Sequence, residues 1–285
     1  MMNFSNPVLV GKGNTSDPYV VLDGDTYYHC YQAEDSVKIA AFHSLDQIGS
    51  DSRTIHKVFQ SQEYTDFYAP ELHKIDGWWY IYAAPCRVGD NNHFMVVLRA
   101  KTQDPCGDYE CLGPIEGIGE KWSIDATVFT YNGKRYMIYT DCRTMFMAEM
   151  ENPAKLKGTP MALTTVQYPW EQIMGPVVEG PAVIFDGDCP CVIYSASDSR
   201  GDDYCLGQLR LVGENIMEPH CWEKHPEPIL SKQPGMYGPG HCSFTFVGAD
   251  MYCVYHANLQ SGTGWNGRSV FIKKAWFQDG ILVFS

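Results

Sequence analysis

The sequence lacks long apolar runs and an excess of basic residues. No apolar stretch approaches the roughly 18 residues that a membrane-spanning helix needs, so no membrane partner is predicted. The 285 residues include 21 Lys and Arg against 34 Asp and Glu, which gives a formal net charge of −13. Such an acidic chain is poorly suited to the phosphate backbone of nucleic acids, so we expect no nucleic-acid partner. The charge is compatible with a neutral, small substrate.

The sequence also lacks the cysteine spacings that are typical of metal sites. Its eleven cysteines include no C-x-x-C pair, and the segment Cys189-Pro190-Cys191 is not a zinc spacing. Three cysteines, Cys30, Cys191 and Cys253, lie within apolar runs that resemble strands. Cysteine in such a setting behaves as a small buried apolar residue, so we expect free thiols.

A targeting signal is not apparent at the start of the sequence. Residues 1–7 have neither the basic region nor the apolar region of a signal peptide. With free thiols expected, this favours a cytoplasmic protein, because disulfides form mainly in oxidising compartments. The alternative is a secreted protein whose signal has been removed.

A unit of about 55 residues occurs five times. Each unit has an ionisable residue, a run rich in β-branched and aromatic residues, a glycine and a second such run. The ionisable residues are Asp17, Glu71, Asp125, Glu179 and His241. They are 54, 54, 54 and 62 positions apart, and the glycine follows each by 6 to 8 positions. A fixed period marks a repeat architecture, and the residue types indicate strands.

The repeat predicts an all-β fold, a five-bladed β-propeller with four antiparallel strands in each blade. About 55 residues leave room for four short strands, and five blades close into a ring that protects the sheet edges. Because the units cover about residues 15–285, we predict that residues 1–285 form a single propeller domain. We expect residues 1–14 to be an irregular lead-in that adds a strand to the last blade and closes the ring.

The common register places the ionisable residue of every unit at one mouth of the central channel. Carboxylates gathered in one ring raise one another's pKa and destabilise the fold, which favours catalysis or cation binding as their role. Glu71 is expected to be structural, because His73 lies only two residues away. The other three carboxylates suit glycoside hydrolysis, which needs a carboxylic acid at the leaving oxygen and a carboxylate that attacks or activates water.

Five segments together resemble glycoside hydrolase family 43. They are Ser16-Asp17-Pro18, Tyr68-Ala69-Pro70-Glu71-Leu72-His73-Lys74, Trp122-Ser123-Ile124-Asp125, Glu179-Gly180-Pro181 and Tyr237-Gly238-Pro239-Gly240-His241. The resemblance covers nearly the whole chain and implies an inverting enzyme that acts on arabinose or xylose linkages. It implies Asp17 as general base, Asp125 as the modulator of the acid's pKa, and Glu179 as general acid.

The resemblance also implies a ligand set beyond the carboxylates. A calcium or similar cation is implied in the channel, with His241 near it and near the substrate, and no organic cofactor is implied. Arg268 is implied to reach the sugar. Residues 194–197 and 204–207 look most like the α-L-arabinofuranosidase branch of the family, and Ser197 among them is expected to contact the substrate.

Aromatic residues beside the ring are candidates for stacking on a sugar face. They are Phe67, Tyr68 and Trp122. Trp265 lies on a glycine-rich segment that we expect to overhang the mouth. Tyr68 stands where many relatives have tryptophan, and Ala126 stands where many have glycine; both departures affect specificity more than activity.

The predicted function is release of terminal L-arabinofuranose from oligosaccharides derived from arabinan or arabinoxylan. The predicted partner is therefore a pentose-containing oligosaccharide. A β-xylosidase that uses the same three carboxylates is the nearest alternative. A non-catalytic sugar-binding propeller and a structural interaction propeller are alternatives from other classes. The presence of all three carboxylates argues against the sugar-binding alternative.

Overall fold

Twenty strands form five four-stranded sheets in the described part of the chain, residues 4–11 and 15–285 of a computed structural model. In every sheet the strands follow one another in chain order and pair antiparallel. The predicted five-bladed β-propeller with four antiparallel strands per blade is confirmed. Residues 1–3 and 12–14 of the predicted lead-in lie outside the described residues.

The strands have the following bounds. Blade one contains β1 (Tyr19–Asp23), β2 (Thr26–Ala33), β3 (Ser36–Phe42) and β4 (Thr54–Gln60). Blade two contains β5 (Tyr64–Ile75), β6 (Trp78–Arg87), β7 (Val96–Ala100) and β8 (Tyr109–Pro114). Blade three contains β9 (Ile124–Tyr131), β10 (Lys134–Thr140), β11 (Thr144–Asn152) and β12 (Lys155–Thr165). Blade four contains β13 (Val178–Asp186), β14 (Cys189–Ala196), β15 (Cys205–Leu211) and β16 (Trp222–Lys224). Blade five contains β17 (Tyr237–Val247), β18 (Asp250–Asn258), β19 (Arg268–Gln278) and β20 (Ile281–Phe284).

Helix is scarce in the described residues. The helices are short 3₁₀ segments at Leu45–Gly49, Pro169–Gln172, Pro219–Cys221 and Gly264–Gly267. None of the helices in the described residues is long and apolar enough to cross a membrane.

The first strand of each blade forms the inner ring of the propeller. These strands contact one another in the order β1, β5, β9, β13 and β17, and β17 contacts β1 again. The ring is therefore closed, and the first residues of all five inner strands lie at the same end of the channel. Each unit of the sequence repeat therefore corresponds to one blade of the ring.

Both faces of each sheet are apolar, because each blade packs between two neighbours. A cluster of buried side chains lies between every pair of adjacent blades. Between blades one and two, for example, Ile39 and Trp79 are almost fully buried. Between blades five and one, Val254 and Val20 have the same role. The hydrophobic contacts between sheets therefore hold the ring closed.

The lead-in segment contacts β19 beyond the end of the short β20. Leu9 forms an antiparallel bridge with Val270. The side-chain amide of Asn6 donates to the carbonyl oxygen of Ile272 at 2.7 Å and accepts its N–H at 2.8 Å. The expected closure of the last blade is present, as one bridge and a side-chain pair rather than as a full strand.

All eleven cysteines lie in the described part of the chain and are free. Cys30, Cys191 and Cys253 are completely buried among apolar side chains. Their position agrees with the interpretation of these residues as small core residues.

Candidate active site

The inner strands are irregular where they enter the channel mouth. The φ angles are positive at Asp17 (50°), Asp125 (58°) and His241 (47°), and at Gly180 (52°), which follows Glu179. Strand pairing shifts register beside three of these positions. Such bulges re-aim side chains and are common next to active sites. A non-glycine residue in this conformation costs about 1–3 kcal/mol, so the surrounding structure must hold it in place.

These irregular strand starts bring four ionisable side chains to one cavity. Asp17, Asp125, Glu179 and His241 line a cavity of about 720 Å³ at the mouth of the channel. Asp125, Glu179 and His241 are buried, and the side chain of Asp17 is 21% exposed. The structure therefore brings together four of the five residues that the repeat places at one mouth.

Asp17 is surrounded by nitrogen atoms. The nearest to its Oδ1 are Nδ1 of His241 (3.2 Å), Nη1 of Arg268 (3.2 Å) and Nδ1 of His256 (3.3 Å). Burial alone raises the pKa of Asp17, but His241 and Arg268, with His256, lower that pKa well below its usual value. Asp17 is therefore a carboxylate at neutral pH.

Glu179 has the opposite electrostatic setting. Its Oε1 accepts a hydrogen bond from the hydroxyl of Tyr204 at 2.8 Å. Burial and the nearby Asp125 raise the pKa of Glu179 to about 8, although the Tyr204 hydrogen bond lowers it in part. Glu179 is therefore mostly a neutral carboxylic acid at pH 7 and can donate a proton.

Asp125 lies beside both of these groups. Its Oδ2 accepts the backbone N–H of Gly180 at 2.9 Å, which ties it to the residue that follows Glu179. Burial raises the pKa of Asp125 to about 6, with a further increase from Asp17 and an opposing effect from His241. Its negative charge above that pH is one reason that Glu179 keeps its proton.

His241 lies among the carboxyl groups of the cluster, which favour its protonated form. Burial lowers the pKa of its imidazole, but Asp17, Asp125 and Glu179 outweigh that effect, and the pKa is raised. Nδ1 of His241 lies 3.9 Å from Asp125 in addition to its contact with Asp17. The backbone N–H of His241 donates to Oγ of Ser195 at 2.7 Å, which fixes the residue to blade four.

Two glycines of the sequence motifs make room for these side chains. A Cβ on Gly180 would lie 3.1 Å from the ring of His241. A Cβ on Gly240 would lie 2.1 Å from Cε1 of Tyr204, closer than atoms can approach. The Glu-Gly-Pro and Gly-Pro-Gly-His segments therefore have small residues because rings pack directly against their backbones.

Sequence reasoning missed Tyr204 and His256 as parts of the site. The ring of Tyr204 stacks on His256 with a centroid distance of 5.8 Å and an interplanar angle of 5°. Burial and the nearby Arg268 lower the pKa of His256 to about 3, so its ring is neutral. The backbone N–H of Asp17 donates to Nδ1 of His256 at 3.2 Å. Residues 204–207 were identified only as a family-like segment, and Gly240 does not reveal which ring it accommodates.

Besides His241, three of the predicted substrate-binding residues line the cavity, and one aromatic residue does not. Tyr68, Trp122 and Arg268 line the cavity, and Trp122 is 40% exposed. Phe67, in contrast, is completely buried and packs edge-on against Phe59 with a centroid distance of 5.7 Å. A ring shielded by the core between blades cannot stack on a sugar, so Phe67 is corrected to a core residue.

Ser197 is also absent from the cavity lining. It is completely buried, and its backbone N–H donates to the carbonyl oxygens of Glu171 and Val177 at 3.2 Å each. The following residues, 198–200, line the cavity instead. Ser197 is therefore corrected to a residue that supports the wall from behind.

Glu71 has the structural setting that was expected of it. Its Oε2 lies 2.8 Å from Nε2 of His73, and both side chains are nearly buried. Glu71 does not line the cavity. Four of the five ring positions therefore contribute to the site.

The predicted cation requires ligands that the protein atoms near His241 do not supply. Calcium takes six to eight oxygen ligands. Among the His, Cys, Asp and Glu side chains of the described residues, only Glu218, His220 and Cys221, on an outer loop, bring three ligand atoms close enough to hold a metal ion. The donor set around His241 does not fit a directly liganded ion, so no step below is assigned to one. The channel cation stays a prediction.

Comparison with known proteins places the chain in a family. The model of glycosyl hydrolases family 43 matches residues 4–282. The chain belongs to glycosyl hydrolase family 43. The resemblance that the five motifs carry is therefore confirmed.

Similar proteins have names that describe arabinofuranose chemistry. An extracellular exo-α-(1→5)-L-arabinofuranosidase of Streptomyces chartreusis is 36% identical over 204 residues, which cover 67% of this chain and 62% of that protein. A protein of the same name from Streptomyces avermitilis is 30% identical over 98% of this chain and 62% of its own length. The chain thus spans about 62% of the length of these two relatives.

A solved structure of this family has the same architecture. The crystal structure of an α-L-arabinofuranosidase from Lactobacillus brevis superposes with a TM-score of 0.87 at 26% identity. The match covers 96% of this chain and 93% of that one.

The expected cytoplasmic location is wrong. Both Streptomyces relatives are named extracellular enzymes, which points to secretion. The expectation depended in part on free thiols. Buried structural cysteines are inert, so their being free does not identify a reducing compartment.

The crowding at Gly180 can be tested by adding a methyl group. Gly187 has a similar φ of 62°, but nothing lies within 4 Å of its Cβ position. Gly187→Ala is expected to lower the free energy of unfolding by about 1–2 kcal/mol, the cost of left-handed backbone. Gly180→Ala should lower it by about 1–3 kcal/mol more, because the new methyl group presses on His241. Urea unfolding measures both values, and equal losses would contradict the packing described here.

Proposed function

We propose that this chain is an inverting exo-acting α-L-arabinofuranosidase. Its substrates are oligosaccharides or polysaccharides with terminal L-arabinofuranose, such as those derived from arabinan or arabinoxylan. The names of its relatives support this sugar and favour it over the β-xylosidase alternative. The extracellular relatives also favour a secreted enzyme that meets its substrate outside the cell.

The observation that carries the proposal is the opposite protonation of two carboxyl groups in one cavity. Asp17 is ionised because His241 and Arg268 lie against its Oδ1 atom. Glu179 keeps its proton because it is buried near other carboxylates, with its pKa raised to about 8. Pairs of carboxyl groups whose environments separate their pKa values are the acid and base of glycosidases. A purely sugar-binding propeller does not need this separation.

The chemistry follows from these two states. Glu179 donates its proton to the glycosidic oxygen as the bond from that oxygen to the anomeric carbon breaks. Asp17 accepts a proton from a water molecule, whose oxygen attacks the opposite face of the anomeric carbon. The products are free arabinose with inverted configuration and an alcohol, and the enzyme is left with Asp17 protonated and Glu179 ionised. A net proton exchange with solvent restores both groups.

The surrounding residues keep these two groups in their states. Asp125 raises the pKa of Glu179 through its negative charge. Tyr204 holds the Oε1 atom of Glu179, and Arg268 holds Oδ1 of Asp17. Arg268, His241, Tyr68 and Trp122 line the cavity and are placed to contact the sugar. Groups that are already in place supply much of the rate enhancement, because the site does not have to reorganise when charge develops in the transition state.

Substitution of Glu179 tests the acid assignment and the sugar together. The wild type should hydrolyse 4-nitrophenyl α-L-arabinofuranoside and α-1,5-L-arabinobiose and should turn over the corresponding β-xyloside far more slowly. Glu179→Ala should lower kcat for arabinobiose by about 10²–10⁴-fold, the usual contribution of a general acid. The loss should be smaller with the nitrophenyl substrate, because nitrophenolate leaves without a proton.

Glu110→Ala is the matched control, because Glu110 is exposed on an outer strand of blade two. It should have wild-type rates with both substrates. Equal losses of Glu179→Ala on the two substrates would contradict the role of Glu179 as acid. Turnover of the xyloside alone would overturn the sugar and keep the mechanism. The first-formed anomer, observed by NMR, reports inversion or retention.

The pH dependence tests how neighbours set the pKa of Glu179. Glu179 acts only when protonated, so kcat/KM should fall as pH rises through about 8. Asp125→Asn removes a negative neighbour, which lowers the pKa of Glu179 and moves this basic limb to lower pH. Tyr204→Phe removes a hydrogen bond that favours the carboxylate, so the limb should move to higher pH. Shifts of both variants in the same direction would contradict this account.

A further inference from the structure

Two loops meet at the rim of the cavity and hold each other in place. One loop, residues 198–203 of blade four, follows β14; the other, residues 261–267 of blade five, leads into β19. The carboxylate of Asp202 accepts hydrogen bonds from the hydroxyl of Ser261 and from the backbone N–H of Gly262, the latter at 2.9 Å. We call this pair of loops the rim clasp. Its contacts join blades four and five directly above the site.

Trp265 is the largest side chain of the rim clasp. Its indole N–H donates to Oγ of Ser199 at 3.0 Å, and the guanidinium of Arg200 lies 5.9 Å from its ring centroid. Asp198 in turn holds Arg200 through a hydrogen bond of 2.8 Å from Nε. Despite these contacts Trp265 is 55% exposed and lines the cavity. The ring is therefore fixed in orientation while much of its surface stays open.

One loop of the rim clasp adjoins residues that contact Glu179. The loop of residues 198–203, which contacts the ring of Trp265 through Ser199 and Arg200, follows β14. Ser195 of β14 pairs directly with Glu179 on β13. The leaving group departs from the oxygen that Glu179 protonates. Tyr204, which directly follows residues 198–203, donates its hydroxyl hydrogen to Glu179. At the other end of the clasp, Arg268 donates to the carbonyl oxygen of Ser199 at 3.4 Å.

The size of the cavity leaves room for more than the reacting sugar. A volume of about 720 Å³ is in the range of sites that enclose ligands of several rings, whereas one arabinofuranose is a single five-membered ring. The additional space can accommodate at least one further sugar ring. A tryptophan face provides the flat apolar surface on which the C–H face of a sugar stacks.

We propose that Trp265 is the platform on which the sugar of the leaving group stacks, which makes it a specificity-determining residue for oligosaccharides over simple glycosides. The proposal rests on the proposed arabinofuranosidase function. Because Ser199 and Arg200 already fix the ring, little conformational entropy is lost when the sugar binds. The chemical class of the ligand is a pentose joined through the scissile oxygen.

Kinetics with two leaving groups test this proposal. The substrates are α-1,5-L-arabinobiose, whose leaving group is a sugar, and methyl α-L-arabinofuranoside, whose leaving group is methanol. Trp265→Ala should lower kcat/KM for arabinobiose at least 10-fold more than for the methyl glycoside, mainly through KM. Trp265→Phe keeps an aromatic face and should restore most of the loss, and Ser199→Ala should have an intermediate effect because the ring is no longer fixed.

Trp276→Ala is the matched control. Trp276 is 41% exposed but lines a separate groove between blades four and five, so its removal should leave both activities unchanged. An equal loss of Trp265→Ala on both substrates, or no loss, would overturn the proposal while leaving the function intact. The proposal would also be overturned if Trp122→Ala lowered kcat/KM for arabinobiose, relative to the methyl glycoside, more than Trp265→Ala does. Failure of the wild type to cleave either substrate would overturn the proposed function itself.

Discussion

The site depends on one electrostatic contact, that of His241 with the carboxylates of Asp17 and Asp125. Its imidazole lies 3.2 Å from Asp17 and 3.9 Å from Asp125, and their charges raise its pKa. In return it keeps Asp17 ionised inside a mostly buried ring of acids. Without His241 the pKa values of Asp17 and Asp125 would be higher, because like charges at short range raise one another's pKa. The asymmetry between base and acid therefore begins with His241.

Backbone geometry makes this contact possible. The inner strands bulge at Asp125, Glu179 and His241, so side chains that would otherwise alternate along a strand point into the cavity. Gly180 lets the ring of His241 lie against the backbone of blade four. Gly240 lets the ring of Tyr204 lie against the backbone of blade five. The packing between blades, which closes the ring, holds these strained positions. Catalytic geometry and stability are thus supplied by the same inner strands.

The sequence predicted the propeller and the acidic ring because both repeat with one period. Other residues of the site do not recur from one unit to the next, so the sequence pattern did not predict their positions. Phe67 and Tyr68 are adjacent and face opposite sides of β5, and a sequence does not show which of them a bulge turns to the cavity. Tyr204 lies directly before β15 and is completely buried, and only tertiary packing determines that its hydroxyl reaches Glu179. The cellular location could not be inferred from free thiols, because seven of the eleven are buried and such thiols are inert in any compartment.

The central claim is that the carboxyl group of Glu179 is neutral while that of Asp17 is ionised. The most direct test is a ¹³C NMR titration of protein labelled at the glutamate side-chain carboxyl carbon, with Glu179→Gln to assign the signal. The account predicts one glutamate that titrates near pH 8 and is missing from the variant. If the signal that disappears in Glu179→Gln titrates instead near the ordinary value of 4.5, the separation of acid and base described here is wrong.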